Sequence, residues 1–295
     1  MERAFARYLR HHRALGSSPK TIKGHVDSST QLLQFLTTCG HSLKLEDLAA
    51  DDVRGWITDQ QDRGLAQKTI HNRVINIKAF ARWCVAEEWL PRDPLARVKR
   101  PKVDDKPKAA LSPEEVDTLL RAVNRGSWLG VRNLAAMLLL FSTGLRAGEL
   151  LALDVADLDW HKGLITIRRA KGGKYRVVPL TGKAERALDR YLNHPKRPNS
   201  PHVFVSPGGV PMTYDALHQV FRHLTAKTGI ACSPHKWRHS AAIAYLRGGG
   251  RVEVLRSLLG HSTLDMSLHY ARIAGIDLTE AHITADPARS LKVRV

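Results

Sequence analysis

The sequence has few cysteines and no apolar segment long enough to cross a membrane. Its three cysteines, Cys39, Cys84 and Cys232, lack the paired spacing of a disulfide framework or a cysteine-based zinc module, so we interpret them as small core residues. The longest strongly apolar run, residues 134–141, is far shorter than the roughly 20 residues of a membrane-spanning helix. The first residues mix charged and apolar side chains, which does not resemble a signal peptide. We therefore expect a cytoplasmic protein.

Acidic residues are also scarce relative to basic ones. The chain has 46 Lys and Arg against 28 Asp and Glu, a formal net charge of +18. Such an excess favours a polyanionic partner, because binding releases condensed counterions. A basic membrane-surface protein would instead concentrate its charge on a long amphipathic helix or beside an anchor, whereas here the basic residues are spread along the chain. Nucleic acid, and not a membrane, is the predicted partner.

The N-terminal part of the chain is predicted to form four helices. Ser18 followed by Pro19 is typical of an N-cap and a first-turn proline, and this helix should run to about Thr37. Asp51 is predicted to cap the third helix. Residues 67–87 carry apolar side chains at three- and four-residue spacing, which predicts a longer amphipathic helix.

A basic, proline-rich stretch follows, PRDPLARVKRPKVDDKPK at residues 91–108. It interrupts the helical pattern and is predicted to be a linker, either a solvated hinge or a basic strap along a phosphate backbone. We place the domain boundaries around it: a helical domain at residues 1–98, a basic linker at 99–107 and a second domain at 108–295.

The second domain is predicted to combine helices with a small sheet. Ser112 and Glu115 in LSPEEVDTLL form a capping box, and residues 132–141 are apolar enough for a buried helix. Residues 164–169 and 175–180 are rich in β-formers around a turn with two glycines, which indicates a hairpin. The predicted fold class is mainly α with a small β-sheet.

The segment SPHKWRHSAAIAYL, residues 233–246, could in principle bind a metal or a phosphate. His235 and His239 have the spacing of two zinc ligands, but the glutamate of the HExxH motif is missing and two cations lie between them. His235 and Arg238 share one helical face near a helix start, where anions are favoured. Phosphate is therefore the preferred ligand. The chain also lacks the P-loop, GxSxG and GxGxxG motifs.

Three further segments extend this motif: STGLRAGELLAL, RRAKGGKYRVVPL and SLLGHSTLDMSLHYARI. Together with PHKWRHSAA they resemble, in order and over the whole chain, the tyrosine recombinases of the phage integrase family. The resemblance is to the simple two-domain type, similar to recombinases that resolve chromosome dimers. The site residues that it implies are Arg146, Glu149, Lys171, His235, Arg238, His261 and Tyr270.

The resemblance implies a covalent mechanism at Tyr270. This residue would attack the scissile phosphate, forming a 3′-phosphotyrosine and releasing a 5′-hydroxyl. Arg146 and Arg238 would clamp the non-bridging oxygens, on which negative charge gathers in the transition state. A free tyrosine has a pKa of about 10, so we expect the surrounding cations to make it usable as a nucleophile near neutral pH.

The remaining site residues would move protons or orient the others. By resemblance, Lys171 would protonate the leaving oxygen, with neighbouring Lys174 as a less favoured alternative. His235 would assist proton transfer from the tyrosine, His261 would donate a hydrogen bond to the phosphate, and Glu149 would orient the site. No metal, nucleotide or redox cofactor is required.

The resemblance also implies partners and an assembly. Two domains would form a C-shaped clamp around duplex DNA, with four protomers holding two recombination sites through a Holliday junction, while the free protein would be monomeric or weakly associated. The tail after Tyr270 is expected to dock on a neighbouring protomer. The residues expected to bind DNA outside the catalytic site are Lys99, Arg100, Lys102 and Lys174.

Two other functions remain open from the sequence. A type IB topoisomerase uses similar chemistry to relax supercoils as a monomer. A DNA-binding regulator with an inactive catalytic domain would be expected to lack part of the site, whereas all seven residues are present here.

Overall fold

The structure is a computed structural model, and it describes residues 1–103, 109–168, 175–260, 267, 268 and 270. The chain divides into two compact units, Met1–Lys106 and Pro107–Val295. Lys171, Lys174, His261 and the tail after Tyr270 lie outside the described residues.

The first unit contains the four predicted helices around one apolar core. Its core includes a stacked pair of rings, Phe5 and Phe80, with centroids 3.8 Å apart, and the fully buried Trp56. Aromatic side chains of this size contribute a large share of the buried apolar area in a small unit. The helices are α1 Glu2–Ala14, α2 Pro19–Thr38, α3 Ala50–Asp62 and α4 Gln67–Ala86.

The helix starts follow local hydrogen bonding. Ser18 caps α2 as predicted, because its hydroxyl accepts a hydrogen bond from the Thr21 amide at 3.1 Å. The prediction for Asp51 is wrong. Helix α3 begins at Ala50, two residues earlier than a cap at Asp51 would place it. Asp52 is therefore the third residue of the helix, and its carboxylate accepts from the Ala49 amide at 2.8 Å.

The beginning of the basic, proline-rich stretch packs on the first unit. Leu95 and Val98 are 0% and 2% exposed, and the ammonium of Lys78 donates to the Val98 carbonyl at 2.6 Å. His71 Nδ1 and the Pro101 carbonyl lie 2.8 Å apart. The solvated hinge, one of the two interpretations of residues 91–108, does not apply to this part, since Leu95 and Val98 are buried in the core. Both residues lie within the predicted helical domain, residues 1–98.

The second unit is helical with a small antiparallel sheet, which confirms the predicted fold class. In the described part of this unit three strands lie in the order β1-β2-β3, and β1 was not predicted because it has only two residues. The strands are β1 Leu158–Asp159, β2 Leu164–Ile167 and β3 Arg176–Pro179. The helices are α5 Pro113–Arg121, α6 Trp128–Thr143, α7 Ala147–Leu151, α8 Gly182–Leu192, α9 Tyr214–Thr228, α10 Pro234–Arg247 and α11 Val252–Leu259.

Helix α6 forms the centre of the second unit and packs against α8 and α10. Trp237 of α10 is fully buried, and its indole N–H donates to the Met137 carbonyl of α6 at 2.9 Å. This bond satisfies the polar atom of a large buried ring. The predicted capping box of α5 is present, because Ser112 and Glu115 each accept a hydrogen bond from the other's amide.

Two glycines bring the ends of α6 and α11 together. Gly144 and Gly260 end these helices in the left-handed conformation, with φ of 63° and 61°. Gly260 was predicted as this cap. A Cβ on Gly144 would lie 2.5 Å from Leu259 Cδ2, so only glycine allows this close approach.

The composition-based expectations are partly corrected. Cys84 is buried and Cys232 is half-buried, but Cys39 is exposed at the end of α2 and is not a core residue. Within the described part of the chain, no helix combines the length and the apolar character needed to span a bilayer.

The contact at Gly144 predicts a stability difference between two glycine caps. Gly144→Ala should destabilise the protein by at least about 1 kcal/mol more than Gly229→Ala. Both glycines end helices at positive φ, which costs an L-residue about 1 kcal/mol, but only Gly144 has a side chain against its Cβ position. Denaturant unfolding of the two full-length variants measures the difference, and equal losses would contradict the packing argument.

Candidate active site

A cleft of about 340 Å³ brings together four of the seven predicted site residues. They are Arg146 at the N-cap of α7, His235 and Arg238 on α10, and Tyr270. These segments are far apart in the sequence. The cleft is lined by Arg146, Ala147, Gly148, Tyr214, Pro234, His235, Arg238 and Tyr270.

The starts of three helices face this cleft. Ala147, Tyr214 and Pro234 are the first residues of α7, α9 and α10, and all three line it. A helix start carries partial positive charge because its first N–H groups have no carbonyl partner within the helix. The backbone therefore adds to the side-chain cations in favouring an anion here.

Arg146 is held at the edge of the cleft by three hydrogen bonds. Its amide donates to Glu149 Oε2 at 2.8 Å, and its Nη1 donates to Glu149 Oε1 at 3.0 Å and to the Leu259 carbonyl at 3.3 Å. The side chain remains 34% exposed, so the guanidinium is fixed in direction and still accessible from solvent.

Arg238 is more deeply placed, at 6% exposed. Its Nη1 donates to the Gly144 carbonyl and its Nη2 donates to the Leu259 carbonyl at 2.8 Å. Burial, followed by the charge of Arg146, lowers the pKa of Arg238 to about 10, so the guanidinium stays protonated at neutral pH. The Leu259 carbonyl thus accepts from both arginines and holds them side by side.

Glu149 is buried beneath the two arginines and is 5% exposed. Arg176 of β3 binds it through two contacts, from Nη1 to Oε1 at 2.8 Å and from Nη2 to Oε2 at 2.7 Å. Burial acts to raise the pKa of this carboxyl, but the hydrogen bonds from Arg176 and Arg146 outweigh it, and the pKa lies below its usual value. Glu149 is therefore ionised at neutral pH.

Sequence reasoning missed Arg176, although one feature could have found it. Strand β3 alternates between faces, and Arg176 lies two residues before the fully buried Val178. A charged residue at an inward-facing strand position needs a buried partner. Tyr214, which also lines the cleft, has no such feature in the sequence.

Tyr270 is half-buried in the cleft and contacts α10. Its ring centroid lies 5.3 Å from that of His239, which had been considered only as a zinc ligand. Burial raises the pKa of Tyr270, while the charges of Arg238 and Arg146 act to lower it and do not outweigh burial. The cations act in the expected direction, but the phenol is less acidic than a free tyrosine.

His235 is exposed and lines the cleft, whereas His239 is buried and does not line it. Within the described ranges, no cluster of three or more His, Cys, Asp or Glu side chains is arranged to hold a metal ion.

A second basic feature lies within the first unit. Lys99, Arg100 and Lys102, three of the four residues predicted to bind DNA outside the catalytic site, line a groove of about 570 Å³ together with Lys68 and His71. The three predicted residues are exposed. The groove presents positive charge without a buried ion pair of the kind seen at Glu149.

The buried pair at Glu149 predicts a pH-dependent stability difference. Glu149→Gln should destabilise the protein by about 3 kcal/mol at pH 7, because it leaves Arg176 without its charged partner. A lowered folded-state pKa means that the carboxylate stabilises the fold above its unfolded pKa of about 4.3 and loses this effect as the pH falls further. The difference between the variant and the original chain should therefore shrink below about pH 4.3, as measured by denaturant unfolding across pH.

Asp117→Asn is the control for this measurement. Asp117 pairs with Arg121 on the surface, where its side chain is 59% exposed, so its loss should change stability by less than about 1 kcal/mol. A Glu149→Gln effect that is as small as the control, or constant down to pH 3, would contradict the prediction.

Comparison with known families identifies both parts of the chain. The phage integrase family model matches residues 109–275, and the model of the phage integrase N-terminal SAM-like domain matches residues 3–88. The first match covers more than half of the chain.

Known proteins similar to this chain are recombinases. Tyrosine recombinase XerD of Oceanobacillus iheyensis is 28% identical, covering 96% of this chain and 97% of that protein. Tyrosine recombinase XerC of Chlamydia trachomatis serovar L2 is 31% identical, covering 76% and 73%.

Solved structures show the same fold at lower identity. The Tn1549 transposon integrase in complex with a circular intermediate DNA has a TM-score of 0.78 and 23% identity, covering 96% of this chain and 98% of that chain. A lambda integrase tetramer bound to a Holliday junction has a TM-score of 0.72 and 18% identity, covering 89% and 77%. The family models and the relatives together show that this chain belongs to the phage integrase family and is a tyrosine-type site-specific DNA recombinase.

Proposed function

We propose that Tyr270 cleaves and rejoins DNA strands through a 3′-phosphotyrosine intermediate. The observation that supports this most is the shared cleft: Tyr270, Arg146 and Arg238 line one space of about 340 Å³. A phosphodiester placed there would meet a hydroxyl nucleophile on one side and two fixed guanidinium groups on the other. The covalent intermediate would retain the energy of the broken bond, so rejoining would need no external energy source.

In this proposal Arg146 and Arg238 bind the non-bridging oxygens of the scissile phosphate. Both guanidinium groups are held by the Leu259 carbonyl, which reduces the side-chain entropy lost when substrate binds. Fixed donors aimed at developing negative charge lower the barrier because they do not have to reorganise during the reaction.

The proposed proton transfers follow from the state of Tyr270. Because burial raises the pKa of its phenol, the proton would leave as the oxygen attacks phosphorus. His235 lines the same cleft and is the proposed acceptor. The departing 5′-oxygen would take its proton from Lys171, and His261 would hydrogen-bond the phosphate. These last two roles are assigned from the family resemblance.

We infer that double-stranded DNA is the substrate and that both units bind it. Residues 1–98 would act as the core-binding domain, residues 99–107 as the basic linker, and residues 108–295 as the catalytic domain. The groove lined by Lys99, Arg100 and Lys102 presents exposed cations to a phosphate backbone, and these would contribute counterion release. Since the substrate is DNA, we place the reaction in the cytoplasm.

The proposed assembly is a tetramer on two recombination sites that passes through a Holliday junction. Support comes from the shared fold with lambda integrase, which has been solved as a tetramer bound to a Holliday junction. The tail after Tyr270 would couple neighbouring protomers in that assembly.

The covalent step predicts a trapped protein–DNA adduct. A duplex selected from a random library by binding to the full chain, nicked so that the cleaved strand diffuses away, should accumulate an adduct in the presence of EDTA. Tyr270→Phe should form none, because it removes the attacking oxygen, and it should keep its DNA affinity. Denaturing electrophoresis measures the adduct. An undiminished adduct with Tyr270→Phe would reject this residue as the nucleophile.

The basic groove predicts a change in salt dependence. Replacing Lys99, Arg100 and Lys102 together by glutamine should weaken duplex binding and reduce the slope of log K against log salt by roughly 0.9 per lost phosphate contact, about 2.7 in all. Fluorescence anisotropy over a range of salt concentrations measures the slope.

The matched control removes three other positive charges. The control replaces Arg54, Arg63 and Arg121 by glutamine, which lowers the net charge by the same amount, from +18 to +15 (18 minus 3). Each of these arginines pairs with a carboxylate one helical turn away and lies outside the groove. If the control changes the slope as much as the test variant, net charge and not the groove determines DNA binding.

A further inference from the structure

Arg176 does not line the cleft, but it contacts Glu149 and the turn after α11, which hold the two cleft arginines in place. It begins β3, its side chain is 10% exposed, and it binds both oxygens of Glu149 at 2.7 and 2.8 Å. Two parallel N–H···O contacts of a planar guanidinium fix the orientation of a carboxylate as well as its position. A lysine at this position could supply the charge but not this geometry.

Glu149 passes this constraint to Arg146. Glu149 Oε1 accepts from Nη1 of both arginines, and Oε2 accepts from the Arg146 amide and from Arg176 Nη2. Arg146 has a long side chain that is 34% exposed, so its free rotation would cost about 2 kcal/mol of entropy to stop on each substrate encounter. Because Arg176 fixes Glu149, and Glu149 accepts a hydrogen bond from Arg146, this rotation is already restricted before the substrate binds.

Arg176 also holds the turn after α11. Its Nε donates to the Leu258 carbonyl at 3.0 Å, and the next carbonyl, that of Leu259, accepts from Arg146 and Arg238. A Cβ on Gly260 would lie 3.0 Å from Arg176 Nη1, so the chain passes directly over the guanidinium. One side chain thus contacts both the carboxylate and the turn that fix the two cleft arginines.

Charge alone does not explain this placement. Arg176 is one of three arginines around a single buried carboxylate. Its positive charge disfavours the nearby positive charge of Arg238 and acts to lower the pKa of that residue. A residue that only neutralised Glu149 would be redundant, because Arg146 already pairs with it at 3.0 Å. The bidentate geometry and the contact with Leu258 are what Arg146 does not supply.

We propose that Arg176 is a positioning residue for strand cleavage, which holds the Arg146 guanidinium against the scissile phosphate through Glu149 and the turn at Leu258. The inference depends on the proposed role of Arg146 at the phosphate. Arg176 touches neither the cleft nor the nucleophile, so its effect should appear in the cleavage rate and not in DNA affinity.

The test compares full-length Arg176→Met with Arg146→Ala on the nicked substrate. Single-turnover adduct formation by Arg176→Met should fall about 10- to 100-fold, the range seen when residues that orient an active group are removed, while the Kd for duplex DNA stays unchanged. Arg176→Lys should recover part of the rate. In the Arg146→Ala background, Arg176→Met should slow the reaction much less than it does alone, because Arg176 acts mainly through Arg146.

A substrate with a neutral methylphosphonate at the scissile position separates positioning from folding. Replacing one non-bridging oxygen by methyl removes charge that Arg146 would neutralise. For one of the two isomers, the rate ratio between the original chain and Arg176→Met should therefore shrink at least about five-fold, as it should for Arg146→Ala. Arg132→Met is the control: it removes another buried guanidinium, 6% exposed, that donates to the Val205 carbonyl away from the cleft, and its ratio should be the same on both substrates.

The possible outcomes distinguish the inference from the function on which it depends. An Arg146→Ala variant as fast as the original chain would reject the proposed phosphate site itself. Slow Arg146→Ala with unimpaired Arg176→Met would overturn only the inference. The inference would also be overturned if the rate losses of the two single variants multiplied in the double variant. It would likewise be overturned if Arg176→Met lowered the rate by the same factor on the phosphodiester and on the methylphosphonate substrate. If Arg176→Met does not fold, Arg176→Lys is judged by the same ratios.

Discussion

The second unit depends on one buried negative charge, the carboxylate of Glu149. Taking a carboxylate out of water costs several kcal/mol, and this cost is offset only if every oxygen finds a donor. Here Arg176 and Arg146 supply those donors from β3 and from the start of α7. Because each partner is held by the others, the sheet, helix α7 and the turn after α11 form one connected support for the cleft.

The same region shows how burial and charge act in opposite directions on the pKa of Tyr270, the proposed nucleophile. The cleft gathers cations and helix starts, which suit a phosphate, yet burial keeps the Tyr270 phenol less acidic than usual. A protonated nucleophile at rest is compatible with catalysis when proton removal accompanies attack. It also means that the cations at Arg146 and Arg238 act mainly on the phosphate, in the proposed mechanism, and less on the phenol.

The two units place their cations differently. The first has its own core, with rings such as Phe5 and Phe80, and carries a basic groove whose chain is attached to α4 by Lys78 and His71. The second places its charges around Glu149 in a buried network. Exposed cations suit the reversible, salt-dependent grip on a polyanion, whereas buried and hydrogen-bonded cations suit a fixed reaction geometry.

The sequence by itself determined the features that depend on neighbouring residues. The caps at Ser18, Ser112 and Gly260 and the family motifs were readable because a cap involves residues within one turn and the motifs keep fixed spacing. The prediction for Asp51 failed because a two-residue shift of the helix start changes which carboxylate reaches the N-cap amide.

Only the tertiary structure decided which distant residues meet. Arg146 and the Leu259 carbonyl that it contacts are 113 positions apart, and the partner of Arg176 lies 27 positions before it. The burial of Leu95 within a basic, proline-rich stretch was equally unreadable from local composition. Such contacts depend on the path of the whole chain, whereas propensity and capping act over a few residues, so the network around Glu149 became visible only in the fold.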